Sequence, residues 1–202
     1  MNVHDLDTPY LLVDLDGLED NLDRYQAYFD THGIGLRPHI KTHKCLAIAH
    51  MQMARGAMGI TCQKLGEAEV MVNGGIDQDM LIPFNIIGEQ KLRRLVALTK
   101  RTNLTVAADS EITLQGISAA TSKAGVEVGV IIELDVGGRA GAETPERGAE
   151  LGALAHSLPG IQLKGVMAMP TPPEYRPFIQ QTLELFDKQG LPYPIVSGGS
   201  TP

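Results

Sequence analysis

The feature that most restricts this chain's fold is an alternation of short apolar runs with longer amphipathic stretches. Apolar or β-branched runs fall at Gly35–Ile40, Met58–Cys62, Met80–Phe84, Leu104–Ala107, Val128–Val136, Leu163–Met169 and Tyr193–Val196. Helical patterns separate them, over Lys44–Arg55, Leu65–Asn73, Glu89–Lys100, Glu111–Lys123, Pro145–Ser157 and Glu174–Lys188. Asn73-Gly74-Gly75 and Lys123-Ala124-Gly125 stop helices, and Thr144-Pro145-Glu146-Arg147 reads as an N-cap with proline at the first helical position. Strand, helix, strand at roughly 20–35-residue spacing predicts repeated βαβ units and a parallel sheet. Ahead of these units, Pro9–Val13 reads as a short strand and the region near Leu15–Thr31 as an amphipathic helix.

Two architectures compete for such a pattern: an open doubly wound sheet and a (β/α)8 barrel. No GxGxxG follows the first strand, which removes the strongest cue for a dinucleotide site. Seven regular units favour the barrel, which closes with eight. The expectation is an α/β chain forming one domain over residues 1–202, an incomplete TIM barrel of about seven βα units. It ends at Ser197-Gly198-Gly199-Ser200-Thr201-Pro202, where a helix is due, which predicts truncation. An unclosed barrel has two unpaired edges, so the segment is expected to be poorly stable or oligomeric on its own, and catalytically weak.

A net charge of -7 argues against a general nucleic-acid or anionic-membrane binder. It does not argue against an anionic cofactor, which needs only a local set of donors. Cys45 and Cys62 have neither CxxC nor His/Cys spacing, and no disulfide framework follows from them. The start MNVHDLDTPY has no basic and then apolar character of a signal peptide, and no apolar run approaches the ~18 residues of a membrane span. A cytoplasmic protein is expected.

Read with period two, Leu36, Pro38 and Ile40 share one face, and Arg37, His39 and Lys41 the other. In a barrel the apolar face meets the helices and the basic set points to the axis, near the strand's C-terminal end where barrel enzymes place their chemistry. Three converging cations call for an anion among them. The competing reading is a hydrated loop with scattered charge, and Pro38, which cannot donate a ladder hydrogen bond, speaks against an ordinary central strand. Periodicity prefers Lys41 over Lys44, which is expected to start the next helix.

Asp7-Thr8-Pro9-Tyr10-Leu11-Leu12-Val13-Asp14-Leu15-Asp16, then Leu36-Arg37-Pro38-His39-Ile40-Lys41-Thr42-His43-Lys44, then Lys64-Leu65-Gly66-Glu67-Ala68-Glu69, resembles the D-threonine aldolase family. That family groups with D-serine dehydratases and, more distantly, with alanine racemases, as fold-type III pyridoxal-phosphate enzymes. The resemblance implies an alanine racemase-type N-terminal barrel in which Lys41 carries pyridoxal 5'-phosphate as a Schiff base. It implies a lyase that cleaves a D-β-hydroxy amino acid to glycine and an aldehyde. The alternatives within reach of the same scaffold are D-serine dehydration, amino-acid racemisation and non-catalytic cofactor binding. It further implies a small D-amino-acid substrate, a homodimer in the full-length form, and a divalent metal held by a C-terminal β-domain, with no ligands in this chain.

Other candidate site residues follow. Ser197-Gly198-Gly199-Ser200-Thr201 offers backbone and hydroxyl donors after the seventh strand, where barrel enzymes bind phosphate, and resembles the family's phosphate loop; a plain Gly-Ser turn is the competing reading. Asp135-Val136-Gly137-Gly138-Arg139-Ala140-Gly141 resembles the relatives' Asp-x-Gly-x-x-Arg-x-Gly, one residue shorter, which implies Arg139 beside the cofactor's phenolic oxygen; a surface arginine in a glycine turn is the alternative. Gln63, just past the second strand, is a candidate contact to substrate or cofactor. His39 is expected either beside the cofactor ring or as a buried structural histidine. His39 and His43 straddle a strand end and are not read as a metal pair. Glu67 and Glu69 read as helix-capping or solvated charges, and Met167 and Met169 as core fillers.

Overall fold

The computed structural model describes residues 2–137 and 140–199. Its centre is a six-stranded, wholly parallel sheet in sequence order: β1 (Gly59–Thr61), β2 (Asp79–Ile82), β3 (Leu104–Ala108), β4 (Val128–Leu134), β5 (Ile161–Ala168) and β6 (Ile195–Ser197). Seven helices accompany it: α1 (Leu15–Thr31), α2 (Leu46–Ala54), α3 (Leu65–Asn73), α4 (Glu89–Thr99), α5 (Glu111–Lys123), α6 (Pro145–Ser157) and α7 (Arg176–Gln189). A doubly wound sheet reverses its strand order at a switch point. Here every strand adds on the same side as the last, which is how a barrel is wound.

Two apolar clusters give the sheet its curvature. The larger fills the space between strands and helices, and includes Ile60, Met80, Ile82, Val106, Ile132, Leu151 and Phe186. The smaller lies on the opposite face and takes one residue from each of five successive strands: Leu81, Ala107, Ile131, Met167 and the partly buried Ile195. This is the layered interior of a barrel. At β5 the register shifts between Val130 and Ile131, and Gly165 lies at φ +122, where a Cβ would sit 2.1 Å from the Ile195 carbonyl oxygen. The close approach of β6 therefore requires glycine there.

Two expectations for the N-terminal half are corrected. Pro9–Val13 forms no strand, and Tyr10, Leu11, Leu12 and Val13 are exposed. An isolated extended segment has no ladder partner to satisfy its backbone, so β propensity alone does not make a strand. The run Gly35–Ile40 is reduced to a single bridge, His39 to Thr61, flanking β1. Its hydrogen bonds are Met58 N–H to Leu36 O at 2.9 Å, Thr61 N–H to Pro38 O at 2.8 Å and Ile40 N–H to Thr61 O at 2.9 Å. The donor missing from this ladder is the one proline lacks, at Pro38. The first expected strand is thus present as an interrupted edge. No helix among the described residues is long and apolar enough to cross a membrane.

Candidate functional site at the strand ends

Lys41 stands just past the edge segment, in the turn that leads to α2 (Leu46–Ala54), with its side chain exposed. The neighbouring Ile40 is fully buried in the helix-side core, so the chain is anchored one residue before the lysine. Lys41 and His39 line a cavity of about 520 Å³ together with Thr42, Tyr25, Gln52 and Met169. Met169 follows β5, so this cavity brings the end of the edge segment towards a strand from the far side of the sheet.

Of the three basic residues expected to converge, two do. Arg37 is held lower down by an ion pair with Asp79, the first residue of β2, and both side chains are largely buried. Gly59 lies between them in the sheet, where a Cβ would sit 1.9 Å from the Asp79 carbonyl oxygen. The Arg37 charge is therefore spent on the sheet, and no anion need be sought for it. His39 and Lys41 remain at the open end.

Two histidines flank Lys41 in the same local arrangement. His39 Nδ1 accepts the Lys41 N–H at 3.3 Å, and His43 Nδ1 accepts the Cys45 N–H at 3.0 Å. Burial lowers the pKa of both rings, and the Lys41 charge lowers that of His39 further. A neutral ring that accepts at Nδ1 carries its proton on Nε2. His39 Nε2 and Gln63 Oε1 are buried and interact with each other outside ideal hydrogen-bond geometry, as do His43 Nε2 and Gln52 Oε1. Each histidine thus presents a buried N–H towards an amide side chain, and the first of these pairs lies beside Lys41.

Gln63 follows β1, and its backbone N–H donates to Glu67 Oε2 at 2.7 Å. Glu67 is 8 % exposed, in the first turn of α3, with Lys44 Nζ 3.0 Å from its other oxygen. Burial pushes its carboxyl up, but Lys44 and the Gln63 amide outweigh this and hold it below the usual carboxylate range. It is therefore neither solvated nor a simple cap. Glu69 forms a bidentate pair with Arg94, at 2.8 and 2.6 Å. Lys44 does not start α2, whose N-cap is Cys45, but occupies the turn at φ 48.

Across the sheet, Ser197 closes β6, followed by Gly198 and Gly199. The Thr171 hydroxyl donates to Ala168 O at 2.6 Å and accepts the Gly199 N–H at 2.9 Å, tying the end of β5 to this loop. A Cβ on Gly198 would sit 2.7 Å from Thr171 Oγ1, and Gly199 lies at φ +134, so both positions need glycine. Ser200, Thr201 and Arg139 lie outside the described residues. The end of β4 is bonded to Ala142: Asp135 N–H donates to Ala142 O at 2.9 Å, and Ala142 N–H to Glu133 O at 2.8 Å. Glu133 is 4 % exposed, on the inward face of β4 in register with Met167. Among the described residues no group of three or more His, Cys, Asp and Glu side chains is placed to hold a metal ion.

Spacing singled out Lys41, His39 and Gln63 as candidates, read Glu67 only as a capping or solvated charge, and gave Gln52, Glu133 and Thr171 no role. Only Glu67 had a usable signal, its place in the first turn of a helix that follows a candidate site strand. The other three are distinguished by burial or by a contact across the sheet, and neither is written in local sequence.

The alanine racemase N-terminal domain family matches residues 13–201. The D-threonine aldolase of Arthrobacter sp is 41% identical over 164 residues, covering 81% of this chain and 43% of the relative. The 3-hydroxy-D-aspartate aldolase of Paracoccus denitrificans (strain Pd 1222) is 31% identical, covering 100% of this chain and 56% of the relative. Among solved structures, D-threonine aldolase from Filomicrobium marinum superposes with a TM-score of 0.91 at 34% identity, over 97% of this chain and 57% of that one. The chain spans about half the length of the curated relatives it matches.

Proposed function

The chain belongs to the alanine racemase N-terminal domain family, and from that premise we propose that it is the cofactor-bearing part of a pyridoxal-phosphate-dependent lyase acting on D-β-hydroxy amino acids. What carries the reading is a lysine at the open end of the sheet, lining a cavity with a neutral histidine, in a chain whose relatives include D-threonine and 3-hydroxy-D-aspartate aldolases. The residues fit the cofactor: Lys41 and His39 line one cavity at the open end of the sheet, and the Gly198-Gly199 loop, where a Cβ on Gly198 would meet Thr171, follows β6 at a position suited to phosphate.

Pyridoxal phosphate, when bound, supplies an electron sink for a bond breaking at the substrate Cα. In this assignment the Lys41 amine would be the covalent anchor of the cofactor. Neutral His39 offers an N–H without adding a second positive charge beside that amine. Gln63, fixed by its backbone bond to Glu67, presents its amide to the same space. Ser197, Gly198 and Gly199, with Ser200 and Thr201, would hold the phosphate. Gly199 N–H is already bonded to Thr171, so its part is to shape the loop rather than to donate. Arg139 would pair with the phenolic oxygen and keep it ionised. The reaction is retro-aldol cleavage to glycine and an aldehyde, with D-threonine and 3-hydroxy-D-aspartate as the first substrates to test.

The test is a titration of the protein with pyridoxal phosphate, following visible absorbance, then incubation with D-threonine, 3-hydroxy-D-aspartate, D-serine and D-alanine. The expected result is a band lost in Lys41→Ala, and glycine formed from a β-hydroxy substrate. A band that survives in Lys41→Ala overturns the assignment of the lysine. Keto acid or L-amino acid as product assigns dehydration or racemisation instead, and cofactor binding with no turnover leaves a carrier.

A further inference from the structure

The ion pair between Lys44 and Glu67 joins two stretches that serve the site separately, the turn that carries Lys41 and the β1–α3 corner that carries Gln63. Lys44 is a non-glycine residue in left-handed backbone, φ 48, and its N–H closes the turn on the Ile40 carbonyl at 2.8 Å. Its ammonium lies 3.0 Å from Glu67 Oε1, while Glu67 Oε2 takes the Gln63 N–H at 2.7 Å. A helix-capping acid in the first turn needs no burial, yet this one is 8 % exposed and faces the site rather than solvent. We propose that Glu67 is a positioning residue for Lys41: one carboxylate clamps the Ile40–Lys44 turn to the β1–α3 corner and sets the charge that the cofactor lysine meets. The inference rests on the reading of Lys41 given above.

The groups facing Glu67 are Lys44 from the turn, His39 from the edge segment and Cys62 from the end of β1, with Lys41 next to His39. Burial and the Glu67 charge push the Cys62 thiol up to about 12, so it stays protonated near neutrality. The carboxylate's field therefore acts on Lys44 and His39, and His39 stands beside Lys41. Loss of that charge disfavours a cation at the site and loosens the turn.

The experiment compares Glu67→Gln, Lys44→Met, Lys44→Arg and Lys41→Ala with the unaltered chain. Glu67→Gln and Lys44→Met should each weaken pyridoxal-phosphate binding about tenfold, with the double variant no worse than either, as expected for two ends of one interaction. Lys44→Arg, which keeps the pair, should stay within about twofold. The pH midpoint of the visible band should fall by about half a unit in Glu67→Gln, since an anion near a cationic group raises its pKa. Without cofactor, amide exchange at Lys44 should speed up in Glu67→Gln. Should Glu67→Gln fail to fold, the exposed Lys44→Met carries the test. Unchanged affinity, midpoint and exchange in variants of a chain whose band still requires Lys41 would overturn the role of Glu67 alone. A band that survives Lys41→Ala would overturn both readings.

Discussion

Strands β3 and β4, and Gly165–Ala168 of β5, bury every residue, whereas the edge segment Gly35–Ile40 with the turn to Lys44 buries Ile40 and leaves most of the rest partly or fully exposed. β6, on the opposite flank, has no fully buried residue. The middle is held by apolar area on two faces. The flanks are held by individual polar ties: Arg37 to Asp79, Lys44 to Glu67, Thr171 to Gly199. Among the described candidate site residues, Glu133 sits in the centre, on β4, Gln63 follows β1 beside the edge segment, and Lys41, His39, Ser197, Gly198 and Gly199 lie on the flanks. A site can be adjusted there by one contact at a time, over a centre whose packing does not depend on it.

The largest expected effect tests the centre. Ile132 is fully buried in the helix-side core, and Ile132→Ala should cost about 3 kcal/mol in a urea titration, from lost transfer energy and the cavity left behind. Leu36→Ala, at a half-buried edge position, should cost less than about 1 kcal/mol. Equal costs would break the contrast between the two regions. Next comes the strongest flank tie. Arg37→Met leaves the Asp79 carboxylate partly buried without its cation and should cost about 2 kcal/mol, while adding Asp79→Asn should restore most of that loss. If the double variant is as unstable as the single one, the pair is not what secures the edge.

The same contrast explains what could be read from the sequence. α1, α3, α5 and α6 begin and end where hydrophobic period and terminators such as Asn73-Gly74 place them. The central strands coincide with largely apolar runs, because both faces are buried and only isolated polar residues such as Thr105 and Glu133 interrupt them. The edge defeated the same logic. Apolar character at Pro9–Val13 did not make a strand without a partner, and Pro38 removed a donor from a run that otherwise reads as one. At the site, period two separated Lys41 from Lys44 because orientation along a strand is local. It put Arg37 with His39 and Lys41, although Arg37 is neutralised by Asp79, a residue distant in the sequence that packing brings beside it. Glu67 lost its apparent exposure for the same kind of reason: its burial is set by the turn from Ile40 to Lys44, which approaches from another unit.

The smallest expected effect is a pH dependence confined to the flank. His39 and His43 both have pKa values below the ordinary 6.5, through burial first and, for His39, the Lys41 charge. Between the folded value and 6.5 the unfolded chain binds more protons than the folded one, so stability rises with pH across that window. The stabilisation is fully present above 6.5 and is lost as pH falls through the folded values. Glu67 also has a lowered pKa, but below the ordinary 4.5 of its carboxyl, so its contribution is lost only in more acid solution. The loss of stability at pH 5.5 should therefore come from the histidines: Tm should be lower at pH 5.5 than at 7.5, and the difference should shrink in a His39→Asn, His43→Asn double variant. Amide exchange should locate the change, with Lys41 and Cys45 losing protection at pH 5.5 while Ile131 and Ile132 keep theirs. Both amides donate to a histidine Nδ1, and a ring protonated there can no longer accept them. Loss of protection in β4 at the same pH would mean that the flank and the centre open as one unit, and that the turn bearing Lys41 is no softer than the sheet it stands on.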